Sequence, residues 1–138
     1  MKLIGIDYGR RRIGVAVTDE SGEYIRGLPT IDRNRVPDFL HALRSLIAGE
    51  RPARIVVGLP LDINGDETVM SKEIRAFAST LEKATSVPVC FVDESLSSVE
   101  AGAILRFRKK KDRRNKEAID RIAACVILEA YKKGLTCD

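Results

Sequence analysis

The sequence predicts a single α/β domain: a five-stranded mixed sheet, with a three-strand antiparallel meander, two parallel strands, and helices on both faces. Three observations lead there. The first thirty-one residues hold three strand-like runs and no helical stripe. From Arg35 onward, helical stripes alternate with short buried apolar runs, the order expected of crossover units. The length, 138 residues, suits one domain (residues 1–138) with a substantial core.

Lys2 to Asp7 reads as the first strand and Arg12 to Thr18 as the second. The tight turn at Tyr8-Gly9 between them predicts an antiparallel hairpin. The polar stretch from Asp19 to Glu23 leads into a third strand over about Tyr24 to Ile31. Apolar residues at 36, 39, 40, 43, 46 and 47 then predict a helix over Arg35 to Ala48, closed by Gly49. Arg54 to Val57 is a short buried strand ending at Gly58. After the turn at Asn64-Gly65-Asp66, Thr68 is placed to cap a helix over about Val69 to Ala84. Val87 to Val92 is another buried strand, ending at Asp93-Glu94. Ser97 or Ser98 caps a short helix to about Arg106, and Lys116 to Lys132 forms the last helix. Crossover helices make strands one, four and five parallel.

Composition excludes several classes of function. At 44% hydrophobic and 32% charged residues the chain is globular rather than disordered. Apolar stretches such as Ile55 to Leu61 are far too short to span a membrane, and the first residues do not form a secretory signal. The expectation is a cytoplasmic protein with no membrane partner. Cys90, Cys125 and Cys137 are widely spaced and lack a CxxC pair, and they read as free thiols. His41 is the single histidine and sits in a helical run with no ligand at useful spacing. A zinc site and a Ser-His-Asp triad are therefore excluded.

Charge is strongly localised. Residues 106–116, RFRKKKDRRNK, carry eight Lys or Arg against one Asp, a local +7 that leaves the rest of the chain at −3. Such a segment is a cationic surface for a phosphate backbone, or else a solvated loop.

The acids are the second signal. Ligands of open α/β sheets bind at the carboxyl ends of the parallel strands. Asp7 ends the first strand, and Asp93 and Glu94 end the fifth. Asp120 lies at the margin of the last helix's apolar stripe, Ile119, Ile122, Ala123, Val126, Ile127 and Ala130. Ala123 and Ala124 let that helix approach the sheet and bring Asp120 near the other acids. Gathered carboxylates resist ionisation unless a cation joins them. All-oxygen donors favour Mg²⁺ or Mn²⁺. Paired ions of this kind activate water for phosphodiester cleavage. Taken singly, each acid also reads as a turn former, a capping residue or a solvated helix flank; their common sheet edge is what joins them. Asp62 reads as a loop acid rather than a ligand.

The stretches IGIDYGRRRIGVAVTD, VGLPL (57–61), VDESLSS (92–98) and DRIAACVILEAY (120–131) occur in this order over nearly the whole chain. Together they resemble the YqgF/RuvX family, which is similar to Holliday-junction resolvases and has a ribonuclease H-like fold. The resemblance implies a nuclease that matures the 5′ end of pre-16S ribosomal RNA, with Asp7, Glu94 and Asp120 as catalytic metal ligands and Asp93 as a further candidate. It implies Mg²⁺ or Mn²⁺ as cofactor. Partners would be structured RNA or branched DNA, the ribosome or its assembly intermediates, in a monomer or weak homodimer. Ser95 departs from the pattern: the family commonly carries Arg after the DE pair, which bears on a phosphate contact and not on the ligands. Arg10, Arg11, Arg12, Lys109, Lys110, Lys111, Arg113 and Arg114 are the expected backbone-holding cations, and Gly9 and Gly58 the close-approach turns beside the site. The competing expectations are a resolvase on four-way DNA, an RNA-binding assembly factor without catalysis, and a phosphate-binding ATPase, which would need a second domain.

Overall fold

The computed structural model describes residues 1–94 and 116–137. The hairpin forms as the sequence predicts. Strand β1 (Leu3–Asp7) pairs antiparallel with β2 (Arg12–Thr18), placing Asp7 opposite Gly14. Strand β3 (Ile25–Asp32) adds to β2, with a register shift between Ile13 and Val15 that bends the pair. Helix α1 (Phe39–Glu50) crosses to β4 (Arg54–Leu59), which runs parallel to β1. Helix α2 (Val69–Thr85) crosses to β5 (Val89–Asp93), parallel to β4. Helix α3 (Lys116–Lys132) leads to β6 (Thr136–Cys137), and the sheet order is β3-β2-β1-β4-β5-β6.

The sixth strand extends the predicted five. Its two residues follow Gly134, whose φ of +80° reverses the chain, and are too few to show a period. Helix α1 starts at Phe39 rather than Arg35 because Pro37 disfavours helix before it, and Asp38 caps the new start by accepting from the His41 N–H at 3.3 Å. Nor does Gly49 close it: the helix runs on to Glu50, and Arg51 caps it in the left-handed conformation. Strand β4 likewise passes through Gly58 to Leu59. Thr68 caps α2 as expected, in a reciprocal box with Ser71 (3.0 and 2.7 Å). The proposed helix from Ser97 or Ser98 to Arg106 lies outside the described residues.

Strand alternation divides the core in two. Ile4, Ile6, Val15, Val17, Ile55 and Val57 face α1 and α2. Leu3, Ala16, Val56 and Val92 face α3, where they meet Ala124, Ile127 and Leu128. Each large side chain wholly withdrawn from water contributes roughly 1.5–3 kcal/mol. Among the described residues no helix is long and apolar enough to cross a membrane. Cys90 and Cys125 are half-buried on the α3 side, where burial raises the Cys125 thiol pKa.

Candidate active site

The same alternation assigns the acids to faces. Leu3 and Gly5 of β1 point toward α3, so Asp7 does too. On β4 the residues of that face are Val56 and Gly58; on β5 they are Cys90 and Val92, with Glu94 next in the alternation. Asp93 pairs with Leu59 and belongs to the opposite parity. Of the adjacent acids, Glu94 is therefore the one that shares a face with Asp7.

Register then sets Asp7 between two glycines. Gly14 is its partner on β2, and continuing the parallel register one residue past Ile6–Val57 puts Gly58 beside it on β4. The space that side chains would fill at both glycines is taken by acids. A Cβ on Gly58 would meet the Glu94 side chain, with Cγ at 2.7 Å, and a Cβ on Gly14 would strike the Asp120 carbonyl and approach Asp120 Cβ at 3.2 Å. One row across three strands thus carries Asp120 over its first position, Asp7 at its centre and Glu94 over its third. Adjacent strands lie ~4.8 Å apart, so all three acids occupy a short span. The Glu94 N–H, bonded to the Leu59 carbonyl at 3.1 Å, ties the third to the end of β4.

Helix α3 reaches this depth because the sheet beneath it lacks side chains. A Cβ on Gly5 would meet Leu128 Cγ at 2.6 Å, and one on Gly27 would meet Arg121 Cβ at 3.0 Å. The predicted small residues on the helix do contribute, Ala123 and Ala124 being buried. The helix is rotated relative to the predicted stripe: Leu128 is fully buried, whereas Ile122, Val126 and Ala130 are half-buried.

Arg12 holds the Asp120 carboxylate, its Nε donating to Oδ2 at 2.8 Å, with 14% of the Asp120 side chain exposed. Among the described residues no group of three His, Cys, Asp or Glu stands close enough to hold one metal ion. The donor chemistry nevertheless suits a hard cation. The acids offer carboxylate oxygens only, and one of them is neutralised by a neighbouring guanidinium.

The turn after Asp7 is anchored from the other face. The Tyr8 hydroxyl donates to Glu73 Oε2 at 2.9 Å, and Arg10 donates to Glu73 Oε1 from Nε and Nη2 at 3.2 and 2.9 Å. Arg33 donates to the Gly9 carbonyl at 3.0 Å and lies over Phe39, its guanidinium carbon 4.2 Å from the ring centroid. The Tyr8 ring packs on Phe77, centroids 4.6 Å apart. This cluster makes the end of β1 rigid, so Asp7 projects from a fixed backbone.

The bond from Arg10, and then that from Tyr8, hold the Glu73 carboxyl below its usual 4.5, while burial and the Glu73 contact push Tyr8 up. A depressed carboxylate contributes stability above its unfolded pKa and loses it as pH falls through the folded value. The gap in melting temperature between wild type and Glu73→Gln is therefore expected to be largest near pH 6 and to shrink below about 4.5. Thermal melts at pH 6 and pH 3 check this; a gap that widens in acid would contradict it.

The profile of the RuvX family, described as "Holliday junction resolvase", matches residues 1–133. The chain belongs to the RuvX family. Its relatives include proteins named "Putative pre-16S rRNA nuclease" from Oleidesulfovibrio alaskensis, 43% identical over 95% of this chain and 91% of that one, and from Koribacter versatilis, 40% identical over 94% and 85%. Among solved structures it is similar to Thermus thermophilus RuvC (TM-score 0.60, 16% identity, 99% and 98% of the two chains). It is also similar to the fowlpox virus resolvase in complex with Holliday junction DNA (TM-score 0.60, 12% identity, 98% and 99%). At such identities the likeness is one of fold, and the fold is ribonuclease H-like.

Within this RuvX-family chain the predicted cations divide. Arg10 is committed to Glu73 and Arg12 to Asp120, whereas Arg11 is exposed and makes no ion pair among the described residues. Lys109, Lys110, Lys111, Arg113 and Arg114 lie outside the described residues, as does Ser95. Sequence reasoning missed Tyr8, Arg33 and Glu73 as supports of the turn, because partners 25 to 65 residues apart leave no local pattern. It also missed Gly14, although glycine inside an otherwise β-branched strand is a signal of close approach.

The two glycines beside Asp7 are expected to respond differently to a methyl group. At Gly58 the obstacle is the far end of a flexible glutamate, which can swing aside. Gly58→Ala should melt within about 2–3 °C of wild type, the ordinary size of a change costing under 1 kcal/mol, while nucleic-acid cleavage falls. Loss of stability without loss of cleavage would show that Glu94 is not the side chain displaced.

Proposed function

We propose that the chain is a Mg²⁺- or Mn²⁺-dependent nuclease on structured RNA, acting on the 5′ end of pre-16S ribosomal RNA, with Asp7, Glu94 and Asp120 as metal ligands. The observation that carries it is the Gly14–Asp7–Gly58 row: Asp7 ends β1, Glu94 follows β5 and lies over Gly58, and Asp120 of the last helix lies over Gly14. Asp93, of opposite parity, is a neighbour rather than a ligand in this reading. The names of the relatives support the RNA substrate, and the resolvase fold supports phosphodiester chemistry.

A bound divalent ion would supply an activated water and charge stabilisation for the leaving oxygen. The chain supplies the rest. Asp7 holds its oxygens on backbone braced by the Tyr8–Glu73–Arg33 cluster. Glu94 lies over Gly58, where no side chain competes for the space. Arg12 orients Asp120 and offsets its charge. Arg11, beside them at the turn, is placed to hold a substrate phosphate. The segment from Lys109 to Arg114 adds cations that position the backbone without reading bases.

The test is a divalent-metal titration with precursor 16S RNA and four-way junction DNA side by side. Cleavage of the RNA that requires Mg²⁺ or Mn²⁺ and stops with chelator is the expected outcome. Preferential cutting of the junction would transfer the activity to DNA. RNA binding with no cleavage at any metal concentration would leave an assembly factor.

A further inference from the structure

On the opposite edge of the sheet, α1 and the end of α2 enclose a cleft of about 490 Å³, within the range of a small-ligand site. Its floor is apolar, formed in part by buried Ile47 and half-buried Ala84 and Val87, and the exposed His41, Arg44 and Arg51 stand at its rim. No acidic residue lines it. Among the described residues these three basic side chains make no ion pair, so no carboxylate offsets their charge at the cleft. Arg44 lies mid-helix, so neutralising the helix's C-terminal dipole does not account for it.

Backbone strain concentrates at the same place. Arg51 (φ 52°) and Ser86 (φ 61°) are the two non-glycine residues with positive φ among those described; Arg51 lines the cleft, and Ser86 lies between its lining residues Thr85 and Val87. Glycine is the ordinary occupant of such helix ends. At Arg51 this helix end instead carries a cation into the cleft lining, and residues held in that conformation cluster where a ligand is held.

We propose that this cleft is a second nucleic-acid contact, taking one nucleotide of the RNA with its base on the apolar floor and its phosphate between Arg44 and Arg51. The proposal rests on the RNA reading above and extends it. The cleft lies where the parallel strands begin and the acids lie where they end, separated by roughly 20 Å of strand. Only an RNA long enough to pass from one edge to the other engages both.

The test is fluorescence anisotropy with a labelled precursor 16S RNA fragment, in chelator so that cleavage does not intervene, over a series of salt concentrations. Arg44→Gln/Arg51→Gln is compared with Arg26→Gln/Arg35→Gln, a double variant of equal charge change elsewhere on the surface. The first is expected to weaken binding about tenfold and to lower the salt slope by about 0.7 for the lost phosphate. Ala48→Glu, which leaves both arginines and puts a carboxylate into the cleft lining, is expected to weaken binding similarly. Cleavage of a short RNA that reaches only the acid edge should be unchanged in all three variants. Equal affinities and slopes for the two double variants overturn the cleft and leave the nuclease reading standing. Failure of the wild type to bind the RNA overturns both.

Discussion

Asp7→Asn is expected to reduce cleavage of precursor RNA by about a thousandfold while leaving the melting temperature within a few degrees of wild type. The size follows from the role proposed for Asp7. A metal-centred site supplies several kcal/mol of transition-state stabilisation, and each ~1.4 kcal/mol is a factor of ten in rate. Asparagine keeps the shape and removes the charge, so the strand-end backbone braced by Tyr8, Glu73 and Arg33 need not move. Glu94→Gln should cause a comparable loss. Combined with Asp7→Asn it should add little, because groups acting as one unit are not additive. The readout is single-turnover cleavage beside a thermal melt. An Asp7→Asn protein that is folded and cuts normally would end the proposed mechanism.

Gly14→Ala carries the largest expected effect on stability. The added methyl would overlap the backbone carbonyl of Asp120, which has no rotamer through which to escape. Either α3 lifts from the sheet, opening the layer between Leu3, Val56 and Leu128, or β2 shifts in its register with Asp7. Overpacking of this kind costs about 1–3 kcal/mol, and for a domain of this size that lowers the melting temperature by roughly 5–10 °C. Cleavage should fall as well, since Asp120 moves with its backbone. A wild-type melt for Gly14→Ala would show that the helix is not seated on the strand as described. The contrast with Gly58→Ala separates the two acids: the same methyl displaces a side chain in one case and a helix in the other.

The elements were legible where a local pattern spans several residues. The Arg12–Thr18 strand, the Thr68 cap and the last helix from Lys116 to Lys132 all follow from periodicity and capping chemistry. Boundaries slipped where one residue outweighed the pattern, as Pro37 did at the start of α1. The two-residue β6 left no pattern to find.

For the site, chain order alone brought Asp7 and Glu94 to one edge, because crossover helices make their strands parallel and parallel strands end together. Residue types also suit the divalent cation proposed here, since the acids offer only oxygen. Three-dimensional packing decided the remainder. Period-two alternation separated Glu94 from Asp93 only once the buried faces of β4 and β5 were known. Arg12, expected beside a substrate phosphate, holds Asp120, a partner 108 residues away. Gly14 and Gly58 acquired their meaning from what occupies the space they leave. Periodicity records which way a side chain points relative to its own strand or helix. Which carboxylate or guanidinium it then meets depends on how closely two elements approach, and here missing Cβ atoms on the sheet set that distance.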